Sequence, residues 1–210
     1  MSKIKYIFRD FWWTVAKIDV QKYGYAAQIA EMYNISKQKV WDALSEPMNK
    51  FRRWEINEST LWKAFSKNIQ LPVHKDSSNV FNKEVEHHFG LYKSIIVFIE
   101  KIQKLWYKCV ILSDENKPQS TKIKKIWRYD VFDDVLLSHD IWISKYDDVQ
   151  NNTTKIFRYV LKKYKLQSKE AIFIDDREDN CLLAKKAWIK VILAKYPRQV
   201  IQNVKKILKI

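Results

Sequence analysis

Residues 8–15 read FRDFWWTV. The run IKYIF (4–8) leads into Asp10 and then into two adjacent tryptophans. An apolar run of that length predicts a short buried strand. In open α/β sheets ligands gather outside the carboxyl ends of the strands, so an aspartate there is placed for chemistry. The oddity is the turn that follows, where two of the largest side chains stand at a sharp reversal of the chain.

Working outward, KCVILS (108–113), DVLLS (134–138), AIFID (171–175) and KVILA (190–194) are apolar runs of strand length. Amphipathic stretches such as NKPQSTKIKKI, TTKIFRYVLKKYKL and DNCLLAKKA lie between them with helical spacing. With the first run, this alternation predicts an α/β fold, a three-layer Rossmann-like parallel sheet between helices. Residues 20–88 differ: they hold four helical stretches and no convincing strand, with Ser36 and Asn57 as N-caps. The expected organisation is a core of residues 1–19 and 89–210 with an inserted α-helical cap of residues 20–88. Asp10, Ser113, Asp175 and Asp176 fall at the strand ends.

Composition bounds the function. The chain has 210 residues, 47% of them hydrophobic, and no apolar run near the ~18 residues a membrane span needs. The strand near the N-terminus leaves no room for a signal or transit peptide. Cys109 and Cys181 each sit in an apolar stretch and read as buried thiols, so a cytoplasmic protein is expected. Thirty-nine basic against 24 acidic residues give +15, which attracts phosphorylated ligands at long range. The lysines are spread along helix faces, as on a solvated surface, and no RNA- or DNA-binding signature accompanies them. No nucleic-acid partner is expected, and the oligomeric state is not specified.

Glycine is the outlying number. Average usage of ~7% would give roughly fifteen; this chain has two, beside nine tryptophans. Trp106, Trp127 and Trp188 follow helical stretches at sites where glycine usually ends a helix. Trp12 and Trp13 occupy the first turn, while Trp54 and Trp142 fall in loops. Only Trp41 and Trp62 have helical apolar spacing. The pattern predicts that the other seven are glycine sites, as would follow if UGA codons meaning glycine had been translated as tryptophan. The alternative is genuine tryptophan on a rearranged backbone.

With glycine restored, DFWWTV resembles the D-F-G-G-T-V turn of the haloacid dehalogenase-like hydrolases. VILSDENK resembles their second motif, SHDIWISKYD their lysine motif, and AIFIDDREDN their acidic motif, in the family's order. A helical insert between the first two motifs matches the helical-cap branch. WEINESTLWKAF is similar to the subgroup holding glucose-1-phosphate phosphatase. The resemblance implies a phosphatase acting on a small phosphorylated metabolite with Mg2+ as cofactor. It makes Asp10 the nucleophile, Ser113 and Lys145 the phosphate-binding pair, and Asp10, Asp175 and Asp176 the metal ligands. Asn180 would position the acidic loop. Taken singly, Asp10 could cap a turn, Ser113 a helix, and Asp175–Asp176 could be an N-cap pair. None of the four histidines has metal-ligand spacing supported by a third ligand.

Departures from the family pattern open other readings. Trp12 stands where many family phosphatases carry a second aspartate as general acid, which favours an inactive binding or regulatory protein. A haloacid dehalogenase would have no use for the acidic pair, and a nucleic-acid module rests on charge alone. Arg9 stands where the family prefers an apolar residue, Tyr146 replaces the usual proline, and DVQNNTT (148–154) looks long enough to displace Lys145.

Overall fold

The computed structural model describes residues 3–17, 24–88, 90–126 and 129–210. Trp127 and the start of the first cap stretch lie outside them. Among the described residues seven strands occur in order: β1 (Tyr6–Arg9), β2 (Ala16–Lys17), β3 (Gly90–Leu91), β4 (Lys108–Ser113), β5 (Asp134–Leu137), β6 (Ala171–Asp175) and β7 (Lys190–Leu193). The chain divides into two compact units.

The first unit comprises residues 1–17, 91–114 and 129–210. Its five-stranded sheet has the order β5-β4-β1-β6-β7, and its pairs are parallel. The α/β reading from alternating runs therefore holds. β1 is central: its consecutive Ile7 and Phe8 are both buried, and Phe8 pairs in register with Val110 and Phe173. Phe8, Phe157 and Phe173 meet Ile156, Val160, Leu183 and Ala184 on one face of the sheet. Each fully buried side chain of this size stabilises the fold by ~1.5–3 kcal/mol. The helices Lys93–Gln103 and Pro197–Leu208 pack on β4 and β7 and on each other. Stacking β1 at the centre brings the ends of β1, β4 and β6 side by side.

The second unit comprises residues 18–90 and 115–128. Ser36 Oγ accepts from Lys39 N at 3.2 Å and Asn57 Oδ1 from Thr60 N at 2.9 Å, so the two expected caps start the helices Lys37–Arg52 and Glu58–Ile69. Val40, Leu44, Phe51, Leu61, Phe65 and Phe81 form its core. The helix Lys117–Ile126 groups with this unit, whereas the sequence places it in the first. The physical cause is polar as well as apolar. Gln119 donates to the buried Glu84 and Lys122 pairs with Glu86, tying it to the helix Val80–His88.

Backbone dihedrals separate the tryptophans. Trp13, Trp54, Trp106, Trp142 and Trp188 have φ of 57°, 64°, 67°, 59° and 62°, all left-handed. Trp41 and Trp62 lie inside right-handed helices. Trp12 is not among the positive-φ residues, so the first turn needs a left-handed residue only at position 13.

Candidate active site

The turn after β1 is closed by its own polar groups. Val15 and Ala16 N–H donate to the Phe11 carbonyl at 3.0 and 3.1 Å, and Trp13 N–H donates to Ala16 O at 2.7 Å. Thr14 Oγ1 donates to the Asp10 carbonyl. Arg9, unexplained by sequence, belongs to this turn. Its buried guanidinium donates to the Thr14 carbonyl. Burial lowers its pKa to about 10, with Cys109 and Asp10 acting against the fall. Asp10 N–H donates to Ile174 O at 2.9 Å, which pins the residue between β1 and β6.

The structure brings Asp10, Ser113, Lys145 and Asp175 together at the ends of β1, β4 and β6. Lys145 Nζ donates to Asp10 Oδ1 at 2.6 Å, to Asp175 Oδ2 at 2.8 Å and to the Leu112 carbonyl at 3.0 Å. All three ammonium protons are used, and the buried cation is compensated. Burial works against its charge, yet Asp10 and Asp175 hold its pKa above the ordinary lysine value. Asp10 is raised to about 6 by burial, with Lys145 pulling down and Asp175 pushing up. Asp176 is raised to about 7, first by burial and then by Asp10 and Asp175.

Asp175 is held firmly. Arg177 N–H donates to its Oδ1 at 2.9 Å and Asn180 Nδ2 to its Oδ2 at 3.1 Å. Asn180 thus sits where the acidic loop needs it. Ser113 Oγ is buried without a hydrogen-bond partner, although it lies close enough to Asp10 to temper that carboxyl. A buried hydroxyl without a partner asks for a ligand atom. Cys109 and Cys181 are buried thiols, both pushed up to about 12 by burial.

Residues 148–154 do not displace Lys145. Asp148 folds the extra length onto itself, accepting from Lys155 N at 3.0 Å, from Ile156 N at 2.8 Å and from Thr153 Oγ1. Sequence reasoning missed Asp148. It also missed Asp114, which accepts from Lys145 N and Tyr146 N at 3.0 Å each. The available signal was an acidic residue next to Ser113; its target, 31 residues away, was not readable.

The acidic set suits a hard cation by its chemistry. Asp10 and Asp175 share one ammonium, and both add to the rise that burial first imposes on Asp176. Their present arrangement is another matter. Among the described residues no group of three Asp, Glu, His or Cys side chains stands ready to hold an ion. Asp10 and Asp175 both point to Lys145 instead.

A family model described as haloacid dehalogenase-like hydrolase matches residues 26–194, which takes in Ser113, Lys145, Asp175 and Asp176 and begins after Asp10. No curated protein matches the chain. A HAD family enzyme from Bacteroides thetaiotaomicron, in complex with magnesium and inorganic phosphate, is similar with a TM-score of 0.71 at 18% identity, over 91% of this chain and 94% of that one. A predicted HAD-like family hydrolase from Porphyromonas gingivalis gives 0.75 at 14% identity over 100% of both chains. L-2-haloacid dehalogenase from Xanthobacter autotrophicus, with chloropropionic acid covalently bound, gives 0.57 at 16% identity, over 90% and 76%. At such identities these likenesses show the fold; no helix among the described residues is long and apolar enough to cross a membrane. On the family match, the chain belongs to the haloacid dehalogenase-like hydrolases and is an enzyme of that family.

Proposed function

We propose that this hydrolase is a magnesium-dependent phosphatase of small phosphorylated metabolites, with Asp10 as nucleophile. The observation that carries the reading is the Lys145 ammonium between Asp10 and Asp175, beside the orphaned Ser113 hydroxyl. The likeness to a structure holding magnesium and phosphate supports it.

A carboxylate approaching a phosphate monoester is repelled by it. Lys145 offsets that repulsion with a fixed, desolvated charge. Asp10 attacks phosphorus through one carboxylate oxygen, and the bond from phosphorus to the leaving oxygen breaks. Water then attacks the aspartyl-phosphate, releasing inorganic phosphate and the Asp10 carboxylate. Ser113 Oγ donates to a phosphoryl oxygen and so gains the partner it lacks. Magnesium on Asp10, Asp175 and Asp176 would supply the remaining positive charge at this acidic site. Position 12 offers no acid, its indole packing edge-on against Phe11 at 5.6 Å. Esters with good leaving groups are therefore the favoured substrates.

The test is hydrolysis of p-nitrophenyl phosphate, with and without magnesium and at several pH values. Activity should disappear on chelation and in Asp10→Asn, and kcat/KM should fall at low pH as the Asp10 carboxylate is protonated. Binding has its own readout: magnesium should raise the melting temperature, and Asp176→Asn should blunt that rise. A folded chain with neither turnover nor magnesium-dependent stabilisation would overturn the reading. Chloride release from 2-chloropropionate without magnesium would mark a dehalogenase instead.

A further inference from the structure

Resting on that reaction, we propose that Asp114 is a positioning residue for Lys145. Its two carboxylate oxygens receive the first two N–H groups of the helix Lys145–Gln150, each at 3.0 Å. That helix already has its own N-cap. Ser144 Oγ accepts from Asp147 N at 3.0 Å and donates to Asp147 Oδ2 at 2.7 Å. Asp114 is therefore not needed to start the helix; it fixes the backbone of the residue that carries the ammonium. Because Asp114 directly follows Ser113, one strand end presents the hydroxyl and holds the cation's support in register.

Position 146 explains why the clamp is possible. The pattern this motif resembles has proline there, and proline carries no N–H. Tyr146 supplies the N–H that Asp114 Oδ2 receives. The chain has exchanged a locked φ for a two-pronged hydrogen bond from a charged acceptor, the stronger kind. Lys145 Nζ has three short contacts to satisfy at once, so a displacement of about 1 Å is expected to be felt at up to a hundredfold in rate.

Asp114→Ala should lower kcat about ten- to a hundredfold with a smaller change in KM. Asp114→Asn keeps one acceptor and should fall between it and the parent. Tyr146→Pro should slow the parent enzyme but add little to Asp114→Ala, since both break the same clamp. The second readout is the NMR signal of the Lys145 side chain, which Asp114→Ala should shift while circular dichroism shows the fold intact. Unchanged kcat and an unchanged Lys145 signal in folded Asp114→Ala would reduce Asp114 to a helix cap. If the parent enzyme hydrolyses no phosphate ester, the functional reading fails by itself. The Lys145 signal then decides alone: displaced in the variant, the clamp stands; undisturbed, it falls.

From the backbone, independently, we infer that glycine is the native residue at positions 13, 54, 106, 142 and 188, their codons being UGA read as glycine by the organism. Five of the eight described tryptophans have left-handed φ. Three of these five complete paired helix-ending bonds. Trp54 N donates to Phe51 O and Glu55 N to Lys50 O; Trp106 N donates to Gln103 O and Tyr107 N to Ile102 O; Trp188 N donates to Lys185 O and Ile189 N to Ala184 O. That motif is the one glycine serves. The two glycines of the chain are elsewhere, since no glycine among the described residues has positive φ.

Nor does burial repay the strain at positions 106 and 188. Trp106 is 88% exposed and Trp188 84%. The other left-handed residues, Asn34, Gln70, Asn152, Lys165 and Lys209, are polar, and asparagine is at home there. One misread codon accounts for all five tryptophans and leaves these untouched. Sequencing the gene decides it. UGA at the five positions, UGG at Trp41 and Trp62, and glycine-bearing peptides by mass spectrometry of protein from the source cells are the expected results. UGG at any of the five positions, or UGA at 41 or 62, would sink the inference.

Discussion

Trp62 and Trp188 are the same residue in opposite surroundings. Trp62 lies inside the helix Glu58–Ile69, 4% exposed, stacked on Phe81 with ring centroids 5.6 Å apart and donating its indole N–H to Glu58 at 3.1 Å. Trp188 follows the helix Glu178–Lys186 at φ 62°, 84% exposed. The first side chain, with Leu61, Phe65 and Ile69, holds its helix to its neighbours. The second hangs in solvent from a backbone that disfavours any Cβ. A residue's worth is set by its dihedral and its burial together. The largest effect tests the favourable half of the contrast. Trp62→Gly should destabilise the protein by about 3–5 kcal/mol for the lost ring and about 1 kcal/mol more for glycine inside a helix. Urea unfolding followed by circular dichroism measures it, and a loss below about 1 kcal/mol would erase the distinction.

The same contrast explains what the sequence could show. Strands β1, β4, β5, β6 and β7 were legible because an apolar run carries its own length and boundaries. Ser36 and Asn57 were legible because a cap acts three residues away. The unusual turns were legible because left-handed backbone has a local residue preference that tryptophan violates. The long-range polar contacts left no such trace. Nothing local to Asp114 points to Tyr146, and nothing near Arg9 says that its guanidinium binds the Thr14 carbonyl. The grouping of residues 115–128 with the second unit depends on Glu84 meeting Gln119, two positions unrelated by any period. The site was readable as four motifs in order. The hydrogen bonds that aim its lysine were not.

A smaller effect sharpens the comparison at Trp41, which is inside the helix Lys37–Arg52 yet 44% exposed, with its ring edge-on to Tyr25 at 5.3 Å. Trp41→Gly should cost about 1 kcal/mol through helix propensity, with ~0.5–1.5 kcal/mol more from the ring pair. Trp41→Ala should lose only the second part. A melting curve for each variant separates them. Trp188→Gly should go the other way and stabilise by about 1 kcal/mol, the lower end of the cost of a Cβ in left-handed backbone. If Trp188→Gly is destabilising, strain at the helix ends is not what distinguishes the two classes.

Trp188→Ala is the smallest effect and the most discriminating. Alanine removes the indole but keeps the Cβ, and the left-handed penalty comes from the Cβ approaching the following carbonyl oxygen. Since the indole is 84% exposed, deleting it gives up little buried area. Trp188→Ala should therefore lie within ~0.5 kcal/mol of the parent chain, as expected for an exposed site away from special contacts, and glycine alone should bring the gain. A gain as large for alanine as for glycine would mean that the bulky ring itself disturbs the bonds from Trp188 N to Lys185 O and from Ile189 N to Ala184 O. The backbone would then be at ease with any small residue, and glycine would have no special claim on the position. The alanine variant thus isolates the one atom on which the contrast with Trp62 turns.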